Sequence, residues 1–249
     1  PEISATTKII LQAKVVGEMI GHVVRAVSRD ETIPIFTGVL VVSDGPTLRM
    51  VATDSYRLAV KETLLESPES EDMEVVVPGK ALEEVAKMAS SQESVALGVS
   101  DNQIVFEVGD TVFITRRIEG TFPNYRQLIP KEFETNVTVP REEFAAAVKR
   151  VSLLAQHNTP LRLTVSSEDK TLSLSATTQD IGDASEDLMA DIEGPDVEIA
   201  FNHQFLNDGM AVATGDTVKF EIVSPLKPGV ITSHGDEGFM YLLMPVRLG

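Results

Sequence analysis

Cysteine and tryptophan are absent from this 249-residue chain, and aromatic residues make up only 5% of it. Without cysteine there can be no disulfide framework and no thiolate metal site. That usage fits a reducing cytoplasm, the expected location. With no tryptophan and three tyrosines, there is too little aromatic surface to stack successive single-stranded bases. Base-by-base reading of a nucleic acid is therefore not expected. No apolar run approaches the roughly 18–20 residues that a membrane span needs, so no membrane partner is expected. The opening PEISATTKIILQ lacks the basic and apolar regions of a signal peptide. It also lacks an initiator methionine, so the chain reads as processed or as a piece of something longer.

Bases are scarce as well. Lys and Arg total 21 against 38 Asp and Glu, a net charge of −17. An acidic surface repels phosphates, which by itself argues against nucleic acid as a partner. The outcome depends on where those few bases lie.

What is present is enough apolar material to fold. Hydrophobic residues are 43% of the chain and mean hydropathy is +0.05, a composition that packs cores rather than staying disordered. The length suits two domains of about 100–150 residues. GVLVVSD, TLRMVATD, RLAVKETLL, MEVVVP, SVALGVS, QIVFEVG and TVFITRRI are β-branched runs separated by Asp, Gly, Ser and Asn. SDGPTL, SDNQI and SEDKTL have the composition of hairpin turns.

Four segments read as helices. Residues 13–27 place Val15, Val16, Met19, Ile20, Val23, Val24 and Val27 on one face, with Lys14, Glu18, His22 and Arg25 opposite. Residues 79–89 bury Leu82, Val85 and Ala86 and show Lys80, Glu83, Glu84 and Lys87. Residues 141–156 bury Phe144, Val148, Val151 and Leu154 behind Pro140. Residues 202–213 start at a good N-cap, Asn202.

The pattern repeats. LRMVATDSYRLAV and LSLSATTQDIGDA both run from a strand into Ala-Thr, and Thr53 and Thr177 lie 124 residues apart. Leu48 and Leu172 share that spacing, as do Pro78 and Asn202 at two helix starts. Two copies of one unit follow, 1–130 and 131–249, each expected to be a doubled strand–helix–strands motif. The expected fold class is α+β, with helices on one side of sheets. Six of the 21 bases, Lys14, Arg25, Lys80, Lys87, Lys149 and Arg150, fall on those helices. Spacing alone favours ordinary solvated faces for them.

Catalytic signatures are missing. There is no Gly-rich phosphate loop, HExxH or GxSxG. His22, His157, His203 and His234 have no ligand spacing and read as surface or capping residues. QDIGDASED gathers Asp180, Asp183, Glu186 and Asp187 without the calcium-loop pattern, so it reads as a solvated loop between strands. No metal, no cofactor and no enzymatic role are expected.

Four stretches carry a resemblance. VATDSYRLAV, EGTFPNYRQLIP, IAFNHQFL and the closing YLLMPVRL resemble the bacterial DNA polymerase III β subunit, the sliding clamp. The motifs come in the family's order with family-like spacing and span essentially the whole chain. The resemblance is to the family's second and third domains only: 1–130 matches the central domain and 131–249 the C-terminal one. It implies a clamp fold with helices on an inner side and sheets outside, and a DNA polymerase processivity factor without catalysis. In full-length form it implies a homodimeric ring around double-stranded DNA, held without sequence preference. Lys14, Arg25, Arg29, Lys80, Lys87, Lys149 and Arg150 would then face phosphates, weakly enough to slide.

The resemblance also implies a pocket between the two domains for short peptides of the polymerase III catalytic subunit, the clamp loader and repair proteins. Leu242, Leu243, Met244, Pro245, Val246 and Arg247 would form one wall. Thr53, Ser55, Tyr56, Arg57 and Leu58 would form another. Pro123, Gln127, Leu128, Asn202, Phe205 and Phe36 join them, with Leu226 and Pro228 from a less closely matching stretch. Ser55 and Tyr56 stand where the family usually has Gly-His. Two other readings remain open: a peptide-binding scaffold with no DNA role, and a metal-dependent hydrolase using the 180–187 loop.

Overall fold

The computed structural model describes residues 7–65, 72–100, 102–155 and 159–247. Contacts divide the chain into two compact units, Pro1–Pro123 and Asn124–Gly249. The division falls seven residues before Pro130, so the short turn Tyr125–Gln127 belongs to the second unit.

In the first unit β1 (Thr7–Gln12) runs straight into α1 (Ala13–Val23), which tightens into a 3₁₀ turn, Val24–Ala26. A second 3₁₀ turn, Pro34–Thr37, leads to β2 (Gly38–Asp44), β3 (Thr47–Thr53), β4 (Arg57–Leu64) and β5 (Met73–Pro78). α2 (Gly79–Ala89) follows without a linker, then β6 (Ser94–Val99), β7 (Gln103–Val108) and β8 (Thr111–Arg116). Within this unit β1-β6-β7-β8 form one sheet, and β5-β2-β3-β4 pair in that order, every pairing antiparallel.

The second unit repeats the order. β9 (Thr135–Pro140) enters α3 (Arg141–Val151) directly; β10 (Leu161–Ser166), β11 (Thr171–Thr178) and β12 (Gly182–Met189) follow. A short β13 (Asp191–Glu193) precedes β14 (Val197–Phe201), α4 (His203–Val212), β15 (Thr217–Ile222), β16 (Gly229–Ser233) and β17 (Asp236–Leu243). β12-β11-β10-β14 form a sheet, and β13-β9-β15-β16-β17 pair in that order. Even the junctions correspond. The first helical N–H of α1, on Ala13, donates to the Glu93 carbonyl, and that of α3, on Arg141, to the Asp216 carbonyl, both at 2.9 Å. Each bond satisfies a donor that no helical turn can reach.

The helices pack as their apolar spacing requires. In the first unit α1 lies against α2, β3 and β4, while α2 reaches β5 and β7. Val16, Met19, Ile20, Val23, Leu82 and Val85 are buried there. In the second unit α3 packs on α4, β11 and β12 behind Phe144, Ala147 and Val148. Burying each such side chain is worth about 1.5–3 kcal/mol. Close approaches need glycine in both of these positions: Gly209 of α4 lies under the Tyr241 ring, and Gly229 faces the rings of Phe220 and Phe201.

Three expectations need correction. α3 ends at Val151 rather than 156, because Ser152 to Ala155 turn through short bonds onto carbonyls three or four residues back; Gln156 and His157 lie outside the described residues. His22 is buried, not on the solvent face, and its Nδ1 donates to the Glu18 carbonyl at 2.6 Å. Finally, Asp183, Glu186 and Asp187 sit on strand β12, register-paired with β11, not in a solvated loop. An end strand exposes alternate residues to water, so acidic residues are tolerated on it.

Candidate functional site

The expected peptide pocket draws on both units, and each contribution is built locally. In the first unit the turn between β3 and β4 is organised by Asp54. Its Oδ1 accepts the backbone N–H groups of Tyr56 and Arg57 at 3.0 and 3.1 Å, and its Oδ2 accepts Arg57 Nε at 2.9 Å. Thr53 Oγ1 donates to the Arg57 carbonyl at 2.7 Å. Ser55 takes a φ of +77°, a left-handed conformation that costs a side-chain-bearing residue roughly 1–2 kcal/mol. Glycine suits such a position, which is why Gly is usual there in the resemblance. The product is a rigid turn that buries Thr53, Arg57 and Leu58 and pushes Tyr56 out, 64% exposed. Of this wall only Tyr56 and Ser55 offer their side chains to a ligand. Phe36 is half-buried in the Pro34–Thr37 turn.

In the second unit the tail divides into two functions. Tyr241, Leu242 and Leu243 are core residues of β17, at most 1% exposed. Leu242 faces Val230 and Leu243 faces Gly229 across β16. Together they bury about 5–9 kcal/mol of transfer free energy, far more than a weakly bound peptide could return. They hold the strand in its sheet. Beyond them the chain leaves β17: Met244, Val246 and Arg247 are exposed, Pro245 is half-exposed, and the Val246 N–H donates to the Ala200 carbonyl at 2.8 Å. Asn202 caps α4, accepting the N–H groups of Gln204 and Phe205 at 2.8 and 3.3 Å. Phe205, one turn into α4, is tied to the tail strand, since Tyr241 Oη donates to its carbonyl at 3.1 Å. Leu226, 68% exposed, and Val246 share a groove in this unit. Pro228 does not line that groove. Gln127 and Leu128 are exposed and Pro123 half-exposed.

The helix bases are less positive a surface than their number implies. Lys14 Nζ lies 3.8 Å from Glu18, Lys80 Nζ 3.4 Å from Glu31 and Lys87 Nζ 2.7 Å from Glu84. Bonding to Glu84 raises the Lys87 ammonium above its ordinary value. These exposed pairs are screened by solvent and would part for a phosphate. Arg150 differs. Its Nε and Nη2 both bond the Glu186 carboxylate of β12, and that hydrogen bonding lowers the Glu186 carboxyl below its usual range. Arg150 is thus a brace between α3 and β12. Arg25, Arg29 and Lys149 are exposed, and α4 carries no lysine or arginine.

Nothing gathers the acids of β12 into a metal site. Among the described residues no three His, Cys, Asp or Glu side chains lie close enough to hold an ion. Nor is any described helix long and apolar enough to cross a membrane.

Comparison with known proteins agrees with this division. The DNA polymerase III beta subunit central-domain family matches residues 10–124, and the C-terminal-domain family of the same subunit matches 126–247. The chain is 35% identical to the beta sliding clamp of Staphylococcus aureus over 99% of its own length, and 35% identical to that of Synechocystis over all of it. Among solved structures, the DNA polymerase sliding clamp of Bacillus subtilis superposes with a TM-score of 0.95 at 31% identity. The DNA polymerase III beta chain of Streptococcus pneumoniae gives 0.93 at 32%. The other three cover the whole chain, while the chain spans only 66% of the S. aureus and B. subtilis proteins and 67% of the other two. With both units matched in order, the chain belongs to the DNA polymerase III beta subunit family, the sliding clamps.

Proposed function

We propose that this chain is the partner-binding and DNA-facing portion of a replicative sliding clamp. The ordered match of its two units to the family's central and C-terminal domains carries this reading. In the full-length homodimeric ring it serves as a non-catalytic processivity factor in the cytoplasm. Topology holds the duplex, and the weak helix bases centre it. The strands β8 and β12 end their sheets with exposed apolar residues, Val112 and Ile114 on one and Met189 on the other. Free edges of this kind support further pairing with other domains of a ring.

Partners of polymerase III, clamp-loader and repair type dock through short peptides. The exposed tail residues Met244 and Val246, with Leu226, offer the apolar surface for an anchor side chain, and Arg247 can bond a carbonyl or carboxylate. One or two buried anchors, less the cost of association, give micromolar affinity.

The test is a titration with a peptide of the form Gln-Leu, a spacer, then Leu-Phe. The chain should bind it saturably at micromolar concentration, and Met244→Ser/Val246→Ser should weaken binding about tenfold or more. Tyr56→Ala reports separately on the turn of the first unit. Absence of saturable binding by the folded chain would overturn peptide capture.

A further inference from the structure

The groove beside Leu226 extends well beyond the tail. β14 ends its sheet, pairing with β10 on one side only. In that register Arg162 faces Ala200 and Thr164 faces Glu198. The Ala200 carbonyl points away from β10, since it accepts the Val246 N–H. Strand alternation gives Glu198 the same orientation, so its N–H and carbonyl are presented outward as well. They face a groove of about 470 Å³ lined by Asp196 to Ala200 on one side and Val223 to Leu226 on the other.

The chemistry of this groove is one-sided. Val223, Leu226 and Val246 give an apolar lining, and three carboxylates, Glu134, Asp196 and Glu198, stand along it. No lysine or arginine lines it. Asp196 stays ionised well into acid, because Ser167 donates to it from both Oγ and N and holds its carboxyl below the ordinary value. Glu198 is shared with Arg162 at 3.3 Å, but both side chains are nearly half exposed, and such a pair yields to competition at little cost.

We propose that this groove takes an extended, lysine- or arginine-bearing segment of a partner protein, added beside β14 as a further strand. The backbone edge at Glu198 supplies strand pairing, the apolar lining receives the aliphatic side chains of one strand face, and the carboxylates receive the basic residues that alternate with them. This rests on the reading that partners dock by peptide, and it adds which flanking sequence they carry: basic and extended. A partner so equipped gains steering from a chain of strong negative charge.

The probe is an amidated hexapeptide, Lys-Val-Lys-Leu-Lys-Val, titrated into the ¹⁵N-labelled chain, with a twin in which glutamate replaces lysine. Saturable shifts confined to Val197–Ala200 and Val223–Leu226 are expected, with none from the twin. Glu134→Gln/Glu198→Gln should weaken the probe about tenfold, the factor two half-exposed charge pairs supply. Glu83→Gln/Glu84→Gln on α2 should leave it unchanged. A probe N-methylated on alternate residues should lose binding with its strand donors.

Shifts scattered over the surface would overturn the proposal, as would equal weakening by the α2 control or undiminished binding of the methylated probe. Titrating the Gln-Leu-type peptide in parallel separates the two readings. Binding of that peptide alone leaves tail capture standing and removes this groove. Binding of the lysine probe alone does the reverse.

Discussion

Gly209→Ala sets two well-sized effects against each other. In a helix interior alanine is favoured over glycine by about 1 kcal/mol, so α4 taken alone should gain. The structure predicts the opposite outcome. A Cβ on residue 209 would sit 2.6 and 2.7 Å from two ring carbons of Tyr241, about an ångström inside carbon–carbon contact. The ring has nowhere to go. It is fully buried, and its hydroxyl is bonded to the Phe205 carbonyl in the same helix. Overpacking costs about 1–3 kcal/mol, and pulling the hydroxyl off its acceptor costs about 1 kcal/mol more. The net is a loss of about 1–3 kcal/mol, which lowers the melting temperature of the second unit by about 4–11 °C. Scanning calorimetry suits the measurement because two units need not melt together. In a Tyr241→Phe background the penalty should persist, since the ring remains. In Tyr241→Leu it should vanish or change sign, a coupling that a double-mutant cycle reads directly. A Gly209→Ala protein that melts higher than the parent, or one equally damaged with Leu at 241, would refute the packing argument.

Two further predictions concern charge. Bonding to Arg150 depresses the folded-state carboxyl of Glu186 below its ordinary 4.5, so the stability this pair adds is present above 4.5 and is lost as pH falls from there through the lowered folded-state value. Glu186→Gln should therefore be less stable than the parent at pH 7 and match it in acid; denaturation curves that stay parallel from pH 7 to 3 would refute the brace. In a full-length ring, Lys80→Glu/Lys149→Glu should weaken retention on duplex DNA and flatten its salt dependence, while the Gln-Leu-type peptide binds as before. Normal retention would show that these faces do not meet phosphates. Arg150 is left out because its replacement would disturb β12.

Much of the fold was readable because the local and tertiary signals agree. TLRMVAT and MEVVVP carry β-branched runs, and residues 79–89 carry apolar spacing that ends where α2 ends. The 124-residue repeat reappears as α2 beginning at Gly79 and α4 at His203. The misreadings share a cause. GDASEDLM has no strand pattern of its own and becomes β12 through pairing with β11, a partner that no local window contains. The packing of the tail's Leu242 and Leu243 was equally out of local reach, since it comes from the register with β16. Likewise Arg150 counts as a base in the sequence, and only the fold reveals Glu186 beside it.

The direct passage of β1 into α1 and of β9 into α3 bears on how the chain reaches this structure. Ile9 must find Leu97, and Val137 must find Phe220, so β9, which meets β13 sooner, waits about 85 residues for its second partner, and β1 waits about as long for its first. Until then its backbone donors are exposed beside helices that already want to pack. Two-unit chains of this kind should fold slowly for their size, with the pairing of β1 to β6 and of β9 to β15 as the late step. A ribosome delivering about 5–20 residues per second would hold β1 unpaired for several seconds. During that interval β1 is where misassociation would begin.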